Sequence, residues 1–536
     1  MKKLFWIFIA SPVLFSARIW AQETVKDTVF LIPFADTVLL DEVVVKAHKT
    51  IPMNNRWSDL QPVDLVTVAG ANGNLYKALE TLPGTQIQGE SGRLLVRGGS
   101  SDETQTYIDG MHVLNPYTST AENIPARGRY SPFMFSGINL STGGHSQEYG
   151  EALSAVLPLE TKDNSQINKV GISPSTVGIG GGGNHAFRNA SLALNLDYQN
   201  LALYNKVYPG RIDFKKPYQM FSGATQFRYT PSGSSVFKIY VGYDRTDYSN
   251  YTDNNRYLFC LGENNVYLNS TFRTAISGGW EWFSGMAYSL FDRKVDGAVT
   301  EGDHWCEKQA ELHFKTKLSK KFHPTFRMDV GFESFLRWYE TRYSQVSVAD
   351  TKEISPTIEA VFGTVSYYPV ENLKAELSFR TEYASLARKI NFSPCLSFSY
   401  SWCDLVLSAT AGRYTQLPNA KYLAQQPSLL SEACRQYNVG GLYKAAGRFY
   451  KAEFYYKKYD RLVLYTPAGL TSGGYGSSKG VDLYFEDRSL MRNLECNLSY
   501  SFNLSQRKYL EYTELTTPQY ATRHNASLVL KYSLTK

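Results

Sequence analysis

The side chains able to do chemistry in this chain are scattered rather than clustered. His145, His185, His304, His313, His323 and His524 show neither HxxxH nor HExxH spacing, so they build no metal centre. Cys260, Cys306, Cys395, Cys403, Cys434 and Cys496 contain no CxxC pair. They allow one or two disulfides in exposed loops, or single thiols packed as small apolar side chains. No GxSxG elbow presents a serine nucleophile. The run Gly178–Gly183 is not followed by Lys-Ser/Thr, so it reads as a flexible or closely packed strand, not a phosphate loop. These absences point away from an enzyme, and no cofactor is implied.

What the chain does carry is a set of glycine-punctuated positions near its N-terminus. Arg97 follows a strand and precedes Gly98 and Gly99. A buried guanidinium there wants paired carboxylates on a surrounding wall; otherwise it caps local carbonyls. Asp109–Gly110 reads as a tight turn in which glycine supplies the positive φ and Asp bonds its own backbone. Leu82 is followed by Pro83 and Gly84, which stop a helix. Gly143, Gly144, Tyr149 and Gly150 are turn and packing positions. Upstream, Leu40, Asp41 and Glu42 precede Val43, Val44 and Val45. Three β-branched residues favour extended backbone. Exposed, such a segment docks by adding a strand to a partner's sheet edge, with the acids steering the encounter; alternatively it is the first strand of the next domain.

The elements that position these residues follow from pattern. Residues 1–21 combine Lys2 and Lys3 with an apolar stretch and a small residue at the cut, the signature of an export signal. Residues 22–49 form a mobile lead. Residues 50–162 form a small α+β unit, with a short helix over 74–82 and strands at 93–97, 106–108, 111–113, 138–140 and 152–159. From about residue 165 the pattern becomes steady alternation. Ala375, Leu377, Phe379 and Thr381 face one way; Lys374, Glu376, Ser378, Arg380 and Glu382 face the other. Phe237, Ile239, Val241 and Tyr243 alternate with Lys238 and Tyr240 in the same manner. Short links at 231–235 and 369–372 read as one rim; Tyr- and Asn-rich stretches at 244–258 and 415–433 read as the other.

Charges on the second face suit a filled lumen and not a closed soluble core. The chain has 39 Tyr and 29 Phe, a composition that fits a surface apolar in the middle and wet at its edges. Mean hydropathy is −0.32. No run of about 20 apolar residues follows the N-terminus, so no transmembrane helix is expected. A closed barrel crosses a bilayer with only alternate residues meeting lipid. The fold class expected is therefore a transmembrane antiparallel β-barrel over 163–536, with the N-terminal α+β domain plugging its lumen. The net charge of +7 is mild and no basic tract appears, which excludes nucleic acid as a partner class.

Read in order, the motifs LDEVVVKA (40–47), ALETLPG (78–84), LLVRGG (94–99), YIDGM (107–111) and the segment 138–162 resemble those of TonB-dependent outer-membrane receptors of the Bacteroidetes type. The resemblance spans 39–162; in the barrel it rests on alternation and on GRYTQLP (412–418). It implies that 39–47 is a TonB box, that TonB is the partner, and that the plug yields to a pull from the inner membrane. It further implies active uptake of a scarce solute of siderophore, cobamide or glycan class across the outer membrane, with outer-membrane lipid around the barrel and a surface lipoprotein as a conceivable lid. The solute pocket is expected on the upper plug loops, where Tyr117, Arg127, Arg129 and Tyr130 are the candidates by position. About 17 strand candidates are visible, against the 22 usual for plugged barrels. The expectation is a barrel cut short at its C-terminal end. A non-transporting binding protein or sensor, or an inactive truncated receptor, stands as the alternative.

Overall fold

A computed structural model describes residues 56–57, 65, 67–68, 70–71, 73–87, 91–119, 126–162, 168–208, 213–252, 257–345, 348–445, 447–491 and 493–532. The export signal and the segment 40–47 lie outside the described residues.

The plug contains a helix whose start is set by Asn74. Its side chain accepts a hydrogen bond from the Tyr76 N–H at 3.1 Å, and the helix runs Leu75–Leu79. Such a cap satisfies one of the orphan donors at a helix N-terminus. Leu75, Ala78 and Leu79 are buried, with Leu82 beyond them. The chain then turns at Pro83–Gly84 into strand Thr85–Gln86, which pairs with Leu95–Val96. The main plug sheet runs in the order Arg56–Trp57, Leu140–Ser141, Ala155–Thr161, Thr104–Ile108, Met111–Val113, with Phe135–Ile138 also on Ala155–Thr161. Thr104–Ile108 and Ala155–Thr161 pair in parallel. Parallel strands are usually covered on both faces, and Ala155, Val156, Leu157 and Leu159 are all fully buried. The plug core does not close on itself: Ile108, Met111, Phe135 and Leu157 share one cluster with Tyr240, Tyr267 and Phe283 of the wall.

Around this plug, nineteen strands among the described residues, from Lys169–Ser175 to His524–Tyr532, form a closed antiparallel barrel in chain order. Closure removes the unpaired sheet edges that hydrocarbon cannot hydrate. Strand Phe326–Gln345 carries two successive neighbours, Val348–Ile354 near one rim and Thr357–Val370 below it. The break falls at Pro356, which has no N–H to give the ladder.

The alternation read from the sequence has the expected sense. Leu377 and Phe379 point out and are exposed, while Ser378, Arg380 and Glu382 point in and are buried. Val241 and Tyr243 face out; Lys238 and Tyr240 face in. The glycine run lies in strand Gly178–Ala186, tight against its neighbours: a Cβ on Gly182 would come within 2.6 Å of the Leu194 carbonyl oxygen.

Short turns at 232–235, 370–373, 402–405 and 491–494 share one rim with 323–326. The opposite rim carries the connection 417–431, with a helix Ala420–Leu423, and the connection 509–523. The stretch 244–258 is a correction to the sequence reading. Ser235–Thr252 and Tyr257–Ile276 pair all the way to Thr252 and Tyr257. Polar residues there mark strand that rises above the lipid, because backbone pairing does not need an apolar face.

Candidate functional site: plug–wall contacts and the cavity above them

Arg97 is the centre of the plug–wall contact. Its φ is +50°, an unusual value for a side chain other than glycine. The turn aims the guanidinium at three adjacent wall strands. Nε donates to Asp482 Oδ2 at 2.8 Å, Nη1 donates to Asn438 Oδ1 at 3.0 Å, and Nη2 lies 2.9 Å from Glu453 Oε2. The guanidinium carbon sits 4.5 Å from the Tyr455 ring centroid. Of the two sequence readings, wall carboxylates rather than local carbonyls take this cation. Gly98 follows at φ +70°, and a Cβ there would lie 2.7 Å from Ser478 Oγ and 2.8 Å from Ser505 Cβ. Glycine is needed for both the turn and the approach.

A second contact has the opposite polarity. Arg507 of the wall donates through Nη1 to Glu103 Oε1 at 2.5 Å and through Nη2 to the Gly98 carbonyl at 2.7 Å. Asp109 and Gly110 both have positive φ, as a tight hairpin turn requires. The Asp109 carboxylate does not bond its own backbone, which corrects the sequence reading. It accepts from the Thr161 N–H at 2.9 Å and hydroxyl at 2.6 Å, and Lys238 Nζ of the wall lies 3.3 Å away. The carboxylate thus ties the turn to the end of the neighbouring strand. The Gly144 N–H donates to Gln436 of the wall at 3.1 Å. Gly143 is beside it, at φ +147°. The Gly150 carbonyl accepts from the Tyr107 hydroxyl at 2.9 Å, and the Tyr107 and Tyr149 rings meet at 4.8 Å. Gly99 donates its N–H back to Val96 O at 2.9 Å.

Several participants had no sequence motif to announce them. Glu148 of the plug takes Lys317 Nζ at 2.8 Å, and Lys315 Nζ donates to its carbonyl at 3.0 Å. Lys317 and Lys315 hold the Glu148 carboxyl down at about 2, against the burial that raises it. His112 donates its backbone N–H to His313 Nδ1 at 3.0 Å and places its own Nδ1 2.7 Å from Glu311. Arg337 bridges Glu311 at 2.7 Å and Glu151 at 2.6 Å. Burial pushes the Glu151 carboxyl up, opposed by Arg337. The alternation shows that Glu311, Glu333 and Arg337 point inward. It cannot show which plug residue each one meets.

Above these contacts, on the long-connection side, lies a cavity of about 550 Å³. The plug floors it with Arg93, Asp102, Gln105, His112 and Tyr117; the wall and the two long connections enclose it. The connection after strand Leu405–Gln416 is hooked to the plug. Gln416 Nε2 donates to the Asp102 carbonyl at 2.7 Å, and the Leu417 N–H donates to Glu151 at 3.1 Å. Of the four positional candidates, Tyr117 lines the cavity, its hydroxyl accepting from the Leu94 N–H at 3.1 Å. The structure turns the others elsewhere. Arg129 is buried against the wall, donating to Asp244 at 2.6 Å and to the Asn115 carbonyl at 2.6 Å. Tyr130 packs edge-on between Tyr240 and Tyr267. Arg127 is laddered by its backbone to Thr118 and does not line the cavity. A desolvated guanidinium takes the nearest carboxylate, and for Arg129 that carboxylate is on the wall. The cysteines are free thiols.

A small α+β domain clamped inside a closed antiparallel barrel, beneath a cavity at the long-connection rim, defines a plugged β-barrel. Residues 66–156 match the family model "TonB-dependent Receptor Plug Domain". Among solved structures, the chain is similar to the ferric enterobactin receptor PfeA of Pseudomonas aeruginosa (mutant R480A_Q482A). Identity is 12% and TM-score 0.70, covering 91% of this chain and 84% of that one. It is similar at 12% identity to the copper transporter OprC, with TM-score 0.69 and coverage of 90% and 83%. For the outer membrane transporter YddB of Escherichia coli the values are 12%, 0.70, 90% and 84%. No curated protein matches the sequence. Residues 66–156 are thus a plug domain of the TonB-dependent receptor type, and the chain as a whole shares the plug-and-barrel fold of these outer-membrane structures.

Proposed function

We propose that this receptor takes up a scarce solute by TonB-dependent active transport. The solute binds in the rim cavity, and a pull on the N-terminal lead displaces the plug. The observation that carries the reading is the division of labour around the plug. Its upper loops floor a cavity large enough for a drug-sized ligand. Its flanks are held by ion pairs such as Arg97–Glu453 and Glu103–Arg507. Contacts between charged groups are strong when seated but are readily replaced by water once a path opens. The outer membrane has no ion gradient of its own, so the work comes from the inner membrane.

The segment Leu40–Val45 supports TonB as the partner, because β-branched residues preceded by two acids suit strand addition. Its sequence, with the motifs of 78–162, also supports placement with the Bacteroidetes-type receptors. The test is accumulation of the solute by cells carrying the full chain or the chain lacking residues 39–47. Loss of uptake with surface binding retained is expected. Equal uptake by both ends the proposal.

A further inference from the structure

The lining of the rim cavity carries information about its guest. Its two deep guanidiniums are already committed within the protein. Arg337 is held by Glu151 and Glu311, and Arg507 by Glu103 and the Gly98 carbonyl. Among the described lining residues, the Lys and Arg side chains without an ion pair are Arg93 and Lys421. Each lies over a tyrosine ring, at 5.6 Å from Tyr117 and 4.7 Å from Tyr422. Against them stand three carboxylates that also lack an ion pair, Asp102, Glu432 and Glu511. A polyanionic guest would meet as much repulsion as attraction.

What the cavity offers instead is ring faces and hydroxyl partners. Tyr509 and Tyr512 lie nearly parallel, with centroids 5.4 Å apart and planes at 20°, and Tyr520 meets Tyr509 edge-on at 6.4 Å. Tyr422, on the connection hooked to the plug, also lines the cavity. These four tyrosines are only partly buried. Flat aromatic faces stack on the apolar face of a ring, and carboxylates and side-chain amides take the hydroxyls around its edge.

We propose that the solute is an uncharged, hydroxyl-rich, ring-bearing molecule, a neutral oligosaccharide, seated on the tyrosines of 509–520 and Tyr422. The assignment rests on the uptake reading for the identity of the site, but its chemistry stands separately. An anionic chelate wants several open guanidiniums, and this cavity has closed two of its three, Arg337 and Arg507, while three carboxylates without an ion pair share the lining with the third. A peptide strand wants a free strand edge, and the described wall strands beside the cavity, such as Phe326–Gln345 and Leu405–Gln416, are paired to their neighbours.

The test uses the full chain in detergent and a panel of neutral oligosaccharides: α- and β-glucan, mannan, xylan and galactan fragments. Ferric tris-catecholate and ferric tris-hydroxamate are the opposing probes, and binding is followed by calorimetry. At least one oligosaccharide is expected to bind, with affinity changing less than about twofold between low and high salt. Tyr422→Ala and Tyr509→Ala are each expected to weaken it about tenfold or more. Heat-modifiable migration on gels verifies that the variants keep the barrel. Tighter, salt-weakened binding of the catecholate overturns the proposal. So does binding of the hydroxamate alone, a silent sugar panel, or sugar binding that neither tyrosine variant alters. A sugar that binds and enters without residues 39–47 refutes the uptake reading and leaves the ligand class intact.

Discussion

Replacing Arg97 with alanine removes one cation from between two buried carboxylates. Glu453 and Asp482 are each only a few per cent exposed or less; Asp482 would lose its cation outright, and Glu453 would keep only Lys451 Nζ at 3.2 Å. Breaking a buried pair by deleting one side costs about 3–5 kcal/mol, because a charge is left uncompensated. The strained backbone at φ +50° does not confuse the comparison, since alanine pays the same steric penalty there as arginine. A loss of that size corresponds to a roughly 10²- to 4 × 10³-fold rise in the open population of the plug. Hydrogen exchange of the amides in 95–99, measured by mass spectrometry on the protein in detergent, reads this directly. The triple variant R97M/E453Q/D482N removes the stranded charges along with the cation and should recover at least half of the lost protection. A single R97A change below about tenfold, or no recovery in the triple variant, would refute the account of Arg97 as the principal clamp.

Other changes test other contacts. Gly98→Ala forces a Cβ into the left-handed region and against Ser478 and Ser505. A loss of about 1–3 kcal/mol in resistance of the plug to urea is expected, with part of it restored by Ser505→Gly. Glu148 is held at about 2 by Lys317 and Lys315, below its ordinary 4.5, so its stabilisation is fully present above pH 4.5 and lost as pH falls toward 2. Proteolysis of the plug between pH 6 and 3 should therefore rise in the wild type, and Glu148→Gln should flatten that dependence. Glu151→Gln weakens both the Arg337 pair and the hold on Leu417. Faster exchange is expected in 149–153 and 417–423 together, and a change in only one of them would show that Glu151 does not join the two.

How far these contacts were legible in the sequence depends on their range. Period-two alternation is local, so Leu377 and Phe379 outward with Arg380 and Glu382 inward followed from the order of residues alone. The turn at Asp109–Gly110, the helix stop at Pro83–Gly84 and the division into plug and barrel were likewise local, because a backbone needing positive φ or lacking an N–H declares itself over two or three residues. That Arg97 required carboxylates could be reasoned from the cost of burying a guanidinium. That they are Glu453 and Asp482 could not, because more than 350 positions separate the partners and only barrel closure brings them within 3 Å. The same distance hid His112, Glu151 and Arg337, and it turned Arg129 and Tyr130 toward the wall when position alone placed them near the solute. Charge neutralisation within the cavity is likewise a tertiary fact. A chain dictates which way its side chains face through local sterics, but which charges cancel is decided only when strands remote in sequence are wound around the same plug.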